Sequence, residues 1–284
     1  MPEDGKAGEG PWQERAPLVV SQLQHELWPI ASFTNSTSSS TKSYTAAFVC
    51  LQEVLHVQLV DILAGLNNVT SSSSSNSSSS VPASGPKWAH IGVGRDDGKT
   101  KGVYSPIIYP VGIFDLLHAE TVWLNPTPDR PSKGWDAGSI RILTMGVFRH
   151  KPTQRTVIAT NTHLDNAGAK SRLESVGIIL DKLQRAQDKW SNGTAAEPVP
   201  MFLTGDFNSL ITQEAYQAMV ASGYKRDLRD QVDAKSWYGN VNTFTGFQRS
   251  ARLWGGGYAV LPNVFDSGVY LSDHPAVVGD VVLS

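Results

Sequence analysis

Apolar positions along this chain follow two periods, one helical and one extended. Between Glu14 and Trp28, residues Leu18, Val19, Leu23 and Leu27 recur at near-helical spacing ahead of Pro29, which predicts an amphipathic helix. The clearest helix is Lys170 to Trp190. There Leu173, Val176, Leu180 and Leu183 recur every three or four residues, leaving Arg172, Glu174, Asp181 and Lys182 for solvent. Leu55 to Leu66 and Thr212 to Ala221 read as shorter helices. Runs rich in β-branched and apolar residues, punctuated by Gly and Pro, predict strands over Ser105–Tyr109, Thr121–Leu124, Ile140–Phe148, Thr156–Thr162, Val199–Leu203, Tyr258–Leu261 and Ala276–Leu283. An earlier run, Ala46 to Leu51, contains Cys50. Such a mixture of strands and helices admits several α/β layouts.

Polar low-complexity stretches interrupt this pattern. Thr34–Thr41 and Thr70–Ser80 are serine-rich, and surface loops are expected over 34–44 and 68–86 because such composition buries too little apolar area to offset ordering. With 284 residues, 40% hydrophobic and 18% charged, the chain can build one sizeable core, so a single domain over 1–284 with a polar N-terminal segment 1–11 is expected. The single cysteine sits inside an apolar run and reads as a small buried hydrophobe. No apolar stretch is long enough to span a bilayer and no secretory pattern opens the chain, so an intracellular, soluble protein is the expectation. A net charge of −2 argues against the broad cationic surface that grips long duplex nucleic acid.

Candidate chemistry gathers at the ends of the apolar runs. Leu51-Gln52-Glu53-Val54, Asn161-Thr162-His163-Leu164-Asp165, Thr204-Gly205-Asp206-Phe207-Asn208-Ser209 and Ser272-Asp273-His274-Pro275 each place acidic, amide or imidazole groups there. Strand ends feeding loops are where α/β proteins expose reactive side chains on a fixed backbone. Glu53 reads equally as a strand-end carboxylate suited to Mg²⁺ and as a residue of a first helical turn. In an extended segment, Asp206 and Asn208 would share one side with Phe207 opposite in the core; a turn is the competing reading. Two carboxylates and two histidines of this kind suggest metal-assisted hydrolysis.

These four segments, in this order, resemble the endonuclease/exonuclease/phosphatase superfamily, whose members include deoxyribonuclease I. The likeness extends from about Trp12 to Leu283 and takes in Gly92-Val93-Gly94-Arg95-Asp96-Asp97-Gly98-Lys99 and Tyr104-Ser105-Pro106-Ile107. It implies an α/β fold, the deoxyribonuclease I-like four-layer sandwich, with two packed mixed sheets and helices on the outer faces. By the same resemblance the activity is divalent-metal-dependent phosphoester hydrolysis, with Mg²⁺ or Mn²⁺ at Glu53 and Asp273. Asp206 and His274 would handle the attacking water, and Asn208 with His163 would hold phosphoryl oxygens. The implied partner is a phosphoester substrate, whether nucleic acid, nucleotide or another small phosphoester, and no protein partner is expected.

Three departures from the family pattern stand out. Only Met1 to Pro11 precedes the first helix, where the family has a strand contributing an asparagine. Val103 occupies the place of a glutamate that orients the histidine matched by His163, so His163 is expected to lack its carboxylate partner. The segment Gln248 to Gly257 carries no acid to pair with His274. Weakened activity is the expectation, since carboxylate support fixes a catalytic imidazole's tautomer and stabilises its protonated form. The alternatives are a catalytically inactive relative that binds phosphate or nucleic acid, and an incomplete gene model of an active enzyme.

Overall fold

The structure is a computed structural model and describes residues 10–33, 46–68, 87–191, 198–224, 226–240, 243–244, 252–253, 258–261 and 269–279. The serine-rich stretches therefore fall almost wholly outside the described residues, as do residues 1–9 and most of 245–257. Backbone contacts divide the chain into two compact units, His25–Ala221 in one and Met1–Gln24 with Ser222–Ser284 in the other.

The 25–221 unit is layered. Its first sheet has the order β1-β3-β2, with β1 (Val49–Cys50), β2 (Trp88–Ile91) and β3 (Ile107–Pro110) antiparallel. The second has the order β4-β5-β6-β7, from β4 (Phe114–Trp123), β5 (Ile142–His150), β6 (Thr156–His163) and β7 (Met201–Asp206). It is mixed, because β6 and β7 run parallel and all other pairs antiparallel. Ile91, Ile107, Tyr109, Phe148, Val157 and Ala159 fill the space between the sheets, with Phe48, Cys50 and Phe202 packed against them. Neighbouring residues of β5 and β6 point the other way. Met145, Val147 and Ile158 meet Ala186 and Trp190 of α3 (Ala169–Trp190). Helix α2 (His56–Asn67) packs on β2 through a buried face of Leu59, Ile62 and Leu66, and α4 (Glu214–Ala221) packs on α3. Helix, sheet, sheet and helix pair make the four layers. Because β5 and β6 are covered on both faces, they read in sequence as nearly continuous apolar runs rather than alternating ones.

Two sequence expectations shift. Strand β4 begins at Phe114, well before Thr121, because its first half alternates poorly: the register slips between Leu116 and His118, so Leu116 and Leu117 are both exposed. In α3 the buried stripe is Arg172, Ser175, Val176, Ile179, Leu183 and Ala186, while Leu173 is 45% exposed. Arg172 is drawn inward by polar partners. Its Nε donates to Glu214 Oε1 of α4 at 2.6 Å and its Nη1 to the carbonyl of Asp165 at 3.0 Å.

In the other unit, a four-stranded sheet has the order β11-β10-β8-β9, from β8 (Trp237–Asn240), β9 (Arg252–Leu253), β10 (Tyr258–Val260) and β11 (Val277–Gly279). Helix α1 (Trp12–Phe33) begins there, and Arg15 Nη1 donates to the carbonyl of Leu271 at 2.9 Å. Among the described residues no helix is long and apolar enough to cross a membrane.

Candidate active site

Strands β6 and β7 run parallel, and their last rung pairs His163 with Asp206. Parallel strands end on the same edge, so both side chains emerge at one rim of the second sheet. Close approach is permitted by Gly205, whose φ is 154° and where a Cβ would fall on the carbonyl oxygen of Thr162. Beyond Asp206 the chain turns at once. Asn208 adopts φ 45° and its backbone N–H donates to Asp206 Oδ1 at 2.8 Å, an Asx-type turn. The turn, rather than strand alternation, brings Asp206 and Asn208 together, and Phe207 is only half-buried.

Glu53 reaches this rim from the first sheet. Three residues past the end of β1 it takes φ 57°, before a β-bridge between Val54 and Tyr104 re-anchors the chain. Helix α2 starts at His56, where Gln58 Oε1 accepts the Leu55 N–H at 2.9 Å, so Glu53 lies outside the first helical turn. Its side chain is 65% exposed, whereas His163 is buried. A non-glycine residue in the left-handed region is uncommon and costs roughly 1–3 kcal/mol. Glu53 and Asn208 both adopt it at this one rim.

His163 sits between these groups. Its Nδ1 lies 3.8 Å from Glu53 Oε1, and its Nε2 lies 3.7 Å from Asp206 Oδ2 and 2.8 Å from Asn208 Nδ2. Asn208 Nδ2 also donates to the carbonyl of Leu164 at 3.0 Å, which fixes it as a donor and makes Nε2 an acceptor, with the ring proton on Nδ1. Val103 lines the pocket beside His163, and the Glu53 and Asp206 carboxylates stand near its two ring nitrogens at distances beyond a hydrogen bond.

A second tier of polar groups holds the rim in place. Asn161 is wholly buried in β6, and its Nδ2 donates to the carbonyls of Leu51 (2.8 Å) and Pro106 (2.9 Å), tying the first sheet to the second. Its Oδ1 accepts from Gln52 Nε2 at 2.7 Å. Asp165 is buried too. It accepts backbone N–H bonds from Gly138, Ser139, Ala167 and Gly168 and the Nε–H of Arg141 at 3.3 Å. Burial alone would raise its pKa, but the four backbone donors outweigh that and hold it well below the usual carboxylate range. Asp136 then accepts from the Lys170 and Ser171 N–H groups, so two carboxylates satisfy the N-terminal turn of α3. Gln52, Asn161 and Asp165 lie in the segments the sequence marks, but their bracing role, like that of Arg141, does not follow from sequence context. The available signal was polar side chains inside or directly after apolar runs, where burial demands partners.

Asp273 and His274 belong to the other unit. They lie in a bend ahead of β11, not in an extended segment, with Ser272 Oγ accepting from the His274 N–H at 3.1 Å and the His274 ring 5.0 Å from that of Phe244. The segment expected to hold an acid for His274 lies mostly outside the described residues.

Beside His163 is a small pocket of about 160 Å³, open mouth included, lined by Arg95, Val103, Ser105, Arg141, His163 and two isoleucines.

No protein-family model and no curated protein matches the sequence. Solved structures do. A mannosyl-6-phosphatase from Bacteroides thetaiotaomicron is 28% identical with TM-score 0.68, the match covering 94% of this chain and 90% of that one. An endonuclease/exonuclease/phosphatase from Bacteroides vulgatus is 28% identical with TM-score 0.68, covering 93% and 88%. The human Nocturnin catalytic domain shares the fold at 16% identity and TM-score 0.55, covering 94% and 85%. The ordered motifs, the layered sheets and these likenesses place the chain in the endonuclease/exonuclease/phosphatase superfamily, with the deoxyribonuclease I-like fold.

Proposed function

We propose that the chain is a phosphoester hydrolase that uses Mg²⁺ or Mn²⁺. One observation carries this reading: His163, Asp206 and Asn208 from the second sheet and Glu53 from the first meet at a single rim, within 4 Å of the His163 ring. Among the described residues no three His, Cys, Asp or Glu side chains are preassembled as a metal cluster. Glu53 still fits a hard cation that keeps most of its water, since it offers one exposed carboxylate at a fixed backbone position. The resemblance adds Asp273 as a second ligand. A bound Mg²⁺ would supply Lewis-acid withdrawal of charge from a phosphoryl oxygen.

The residues of the rim do the remainder. Asp206 accepts the proton of an attacking water or orients it, and Asn208 with His163 holds phosphoryl oxygens, as the resemblance implies. Asn208 fixes the His163 tautomer. His274 would share the handling of water, as the resemblance implies. The likeness to a mannosyl-6-phosphatase makes a sugar 6-phosphate the first monoester to try, and Val103 beside His163 supports a turnover below that of relatives with a carboxylate there.

The test is hydrolysis of mannose 6-phosphate, a chromogenic phosphodiester and a short oligonucleotide with Mg²⁺ or Mn²⁺, against chelator. Asp206→Asn and His163→Gln should each lower kcat by roughly 10²–10⁴-fold, and Asp273→Asn and His274→Gln should also lower it. Turnover unchanged in Glu53→Gln and Asp206→Asn would overturn the assignment. Calorimetric binding of a phosphoester with no turnover in any condition would instead favour the inactive, phosphate-binding reading, which Val103 also supports.

A further inference from the structure

The pocket beside His163 contains chemistry that hydrolysis does not use. Arg141 is only 5% exposed. Its Nε is bonded to Asp165 and its Nη2 to Asn166 at 3.1 Å, but Nη1 is buried with no hydrogen-bond partner among the described residues. The Nε of Arg95 is in the same condition, its nearest carboxylate oxygen being Asp96 Oδ1 at 3.7 Å, too long for a hydrogen bond. Both arginines line the pocket, and no acidic side chain does. Asp165, the carboxylate nearest Arg141, already serves four backbone donors. Burial and then the charge of Arg141 pull the Arg95 pKa down, against the opposing pull of Asp96, Glu53 and Asp165. Two like charges thus line one small space, each carrying a buried donor that lacks an acceptor.

A guanidinium has five donors and no acceptor, so what completes such a site must accept only. The enclosed part of the pocket has room for a water-sized body, too little for a tetrahedral phosphate or sulfate. We propose that the pocket binds one small monovalent anion of halide size between the guanidiniums of Arg95 and Arg141. Val103, Ile140 and Ile142 give it apolar walls, which strengthens the attraction by excluding water. The inference rests on residues 95–163 alone. A failure to hydrolyse any phosphoester leaves it intact.

The test uses the full chain. Thermal unfolding is followed while chloride or bromide replaces gluconate at constant ionic strength, with sulfate as the large-anion control. Halide should raise the midpoint saturably, and at a hundred times its Kd should increase the folding equilibrium constant about a hundredfold. Val103→Glu places a resident carboxylate in the pocket and should abolish the halide response, while Arg95→Gln should weaken it. Crystals grown in bromide should show an anomalous peak between Arg95 and Arg141. A midpoint indifferent to halide, a response that persists in Val103→Glu and Arg95→Gln, or a pocket holding water alone in bromide would each overturn the proposal.

Discussion

Replacing Asp165 by asparagine removes one oxygen from a carboxylate that has no lone pair to spare. Oδ1 accepts from Gly138 (3.0 Å), Ala167 (3.0 Å) and Gly168 (2.8 Å), and Oδ2 from Ser139 (3.0 Å) and Arg141 (3.3 Å). Asparagine can keep its oxygen toward the first set. Its amide then faces the Ser139 N–H and the Arg141 guanidinium, donor against donor, and leaves a buried cation without its carboxylate. Breaking a buried pair in this way costs about 3–5 kcal/mol. With a urea m-value of roughly 2–3 kcal/mol/M, the midpoint should fall by roughly 1–2.5 M. The acid limb should change as well. Because the folded-state pKa of Asp165 is depressed, its stabilisation is complete above the unfolded value of about 3.9 and is lost as pH falls through the folded value. Wild type should lose stability more steeply than Asp165→Asn below about pH 4. Urea titrations of both proteins from pH 7 down to the acid limit measure this. A loss under about 1 kcal/mol at pH 7 would refute the reasoning, because that is the size of an ordinary exposed hydrogen bond.

The inward arginine of α3 predicts that Arg172→Met destabilises by about 1.5–3 kcal/mol, the range for hydrogen bonds to charged groups, whereas Leu173→Ala costs under about 0.5 kcal/mol; chemical denaturation of both settles the order. At Gly146 a Cβ would fall on Phe148 and Ile91 between the two sheets, so Gly146→Ala should cost about 1–3 kcal/mol through overpacking, read from the thermal midpoint. Burial pushes the Cys50 thiol up to about 12 against a smaller opposing hydrogen bond with Thr204, so almost no thiolate is present at pH 8. The folded protein should then react with a thiol reagent about a thousandfold more slowly than the urea-unfolded chain, and comparable rates would contradict the burial.

The site was legible where chemistry and strand ends coincide. Glu53, His163, Asp206 and Asn208 were each visible as polar groups closing an apolar run, and the structure gathers all four. What periodicity could not convey was the backbone that aims them. Neither the left-handed turn at Asn208 nor that at Glu53 follows from alternation, because each is imposed by a tertiary anchor: the Asp206 carboxylate in one case and the Val54–Tyr104 bridge in the other. Leu173 was misplaced for a related reason. A hydrophobic stripe assumes that only apolar side chains turn inward, and Arg172 does so because Glu214 and the Asp165 carbonyl, both distant in sequence or outside the helix, satisfy it. Strand β2 went unseen since its four residues, Trp88 to Ile91, are too few to show a period. Val103 lies beside His163, and the carboxylates of Glu53 and Asp206 near that ring come from other segments, a proximity visible only in three dimensions.

The rung that pairs His163 with Asp206 makes the site a proofreader of its own folding. Side chains on a strand change face at every residue, so a slip of one position between β6 and β7 would turn Asp206 away from the imidazole and Phe202 away from the core between the sheets. Site geometry and core burial therefore fail together. Under the proposed function, turnover would report that two strands separated by the whole of α3 found the correct alignment, and an activity measurement on refolded protein would count correctly aligned molecules without any structural probe.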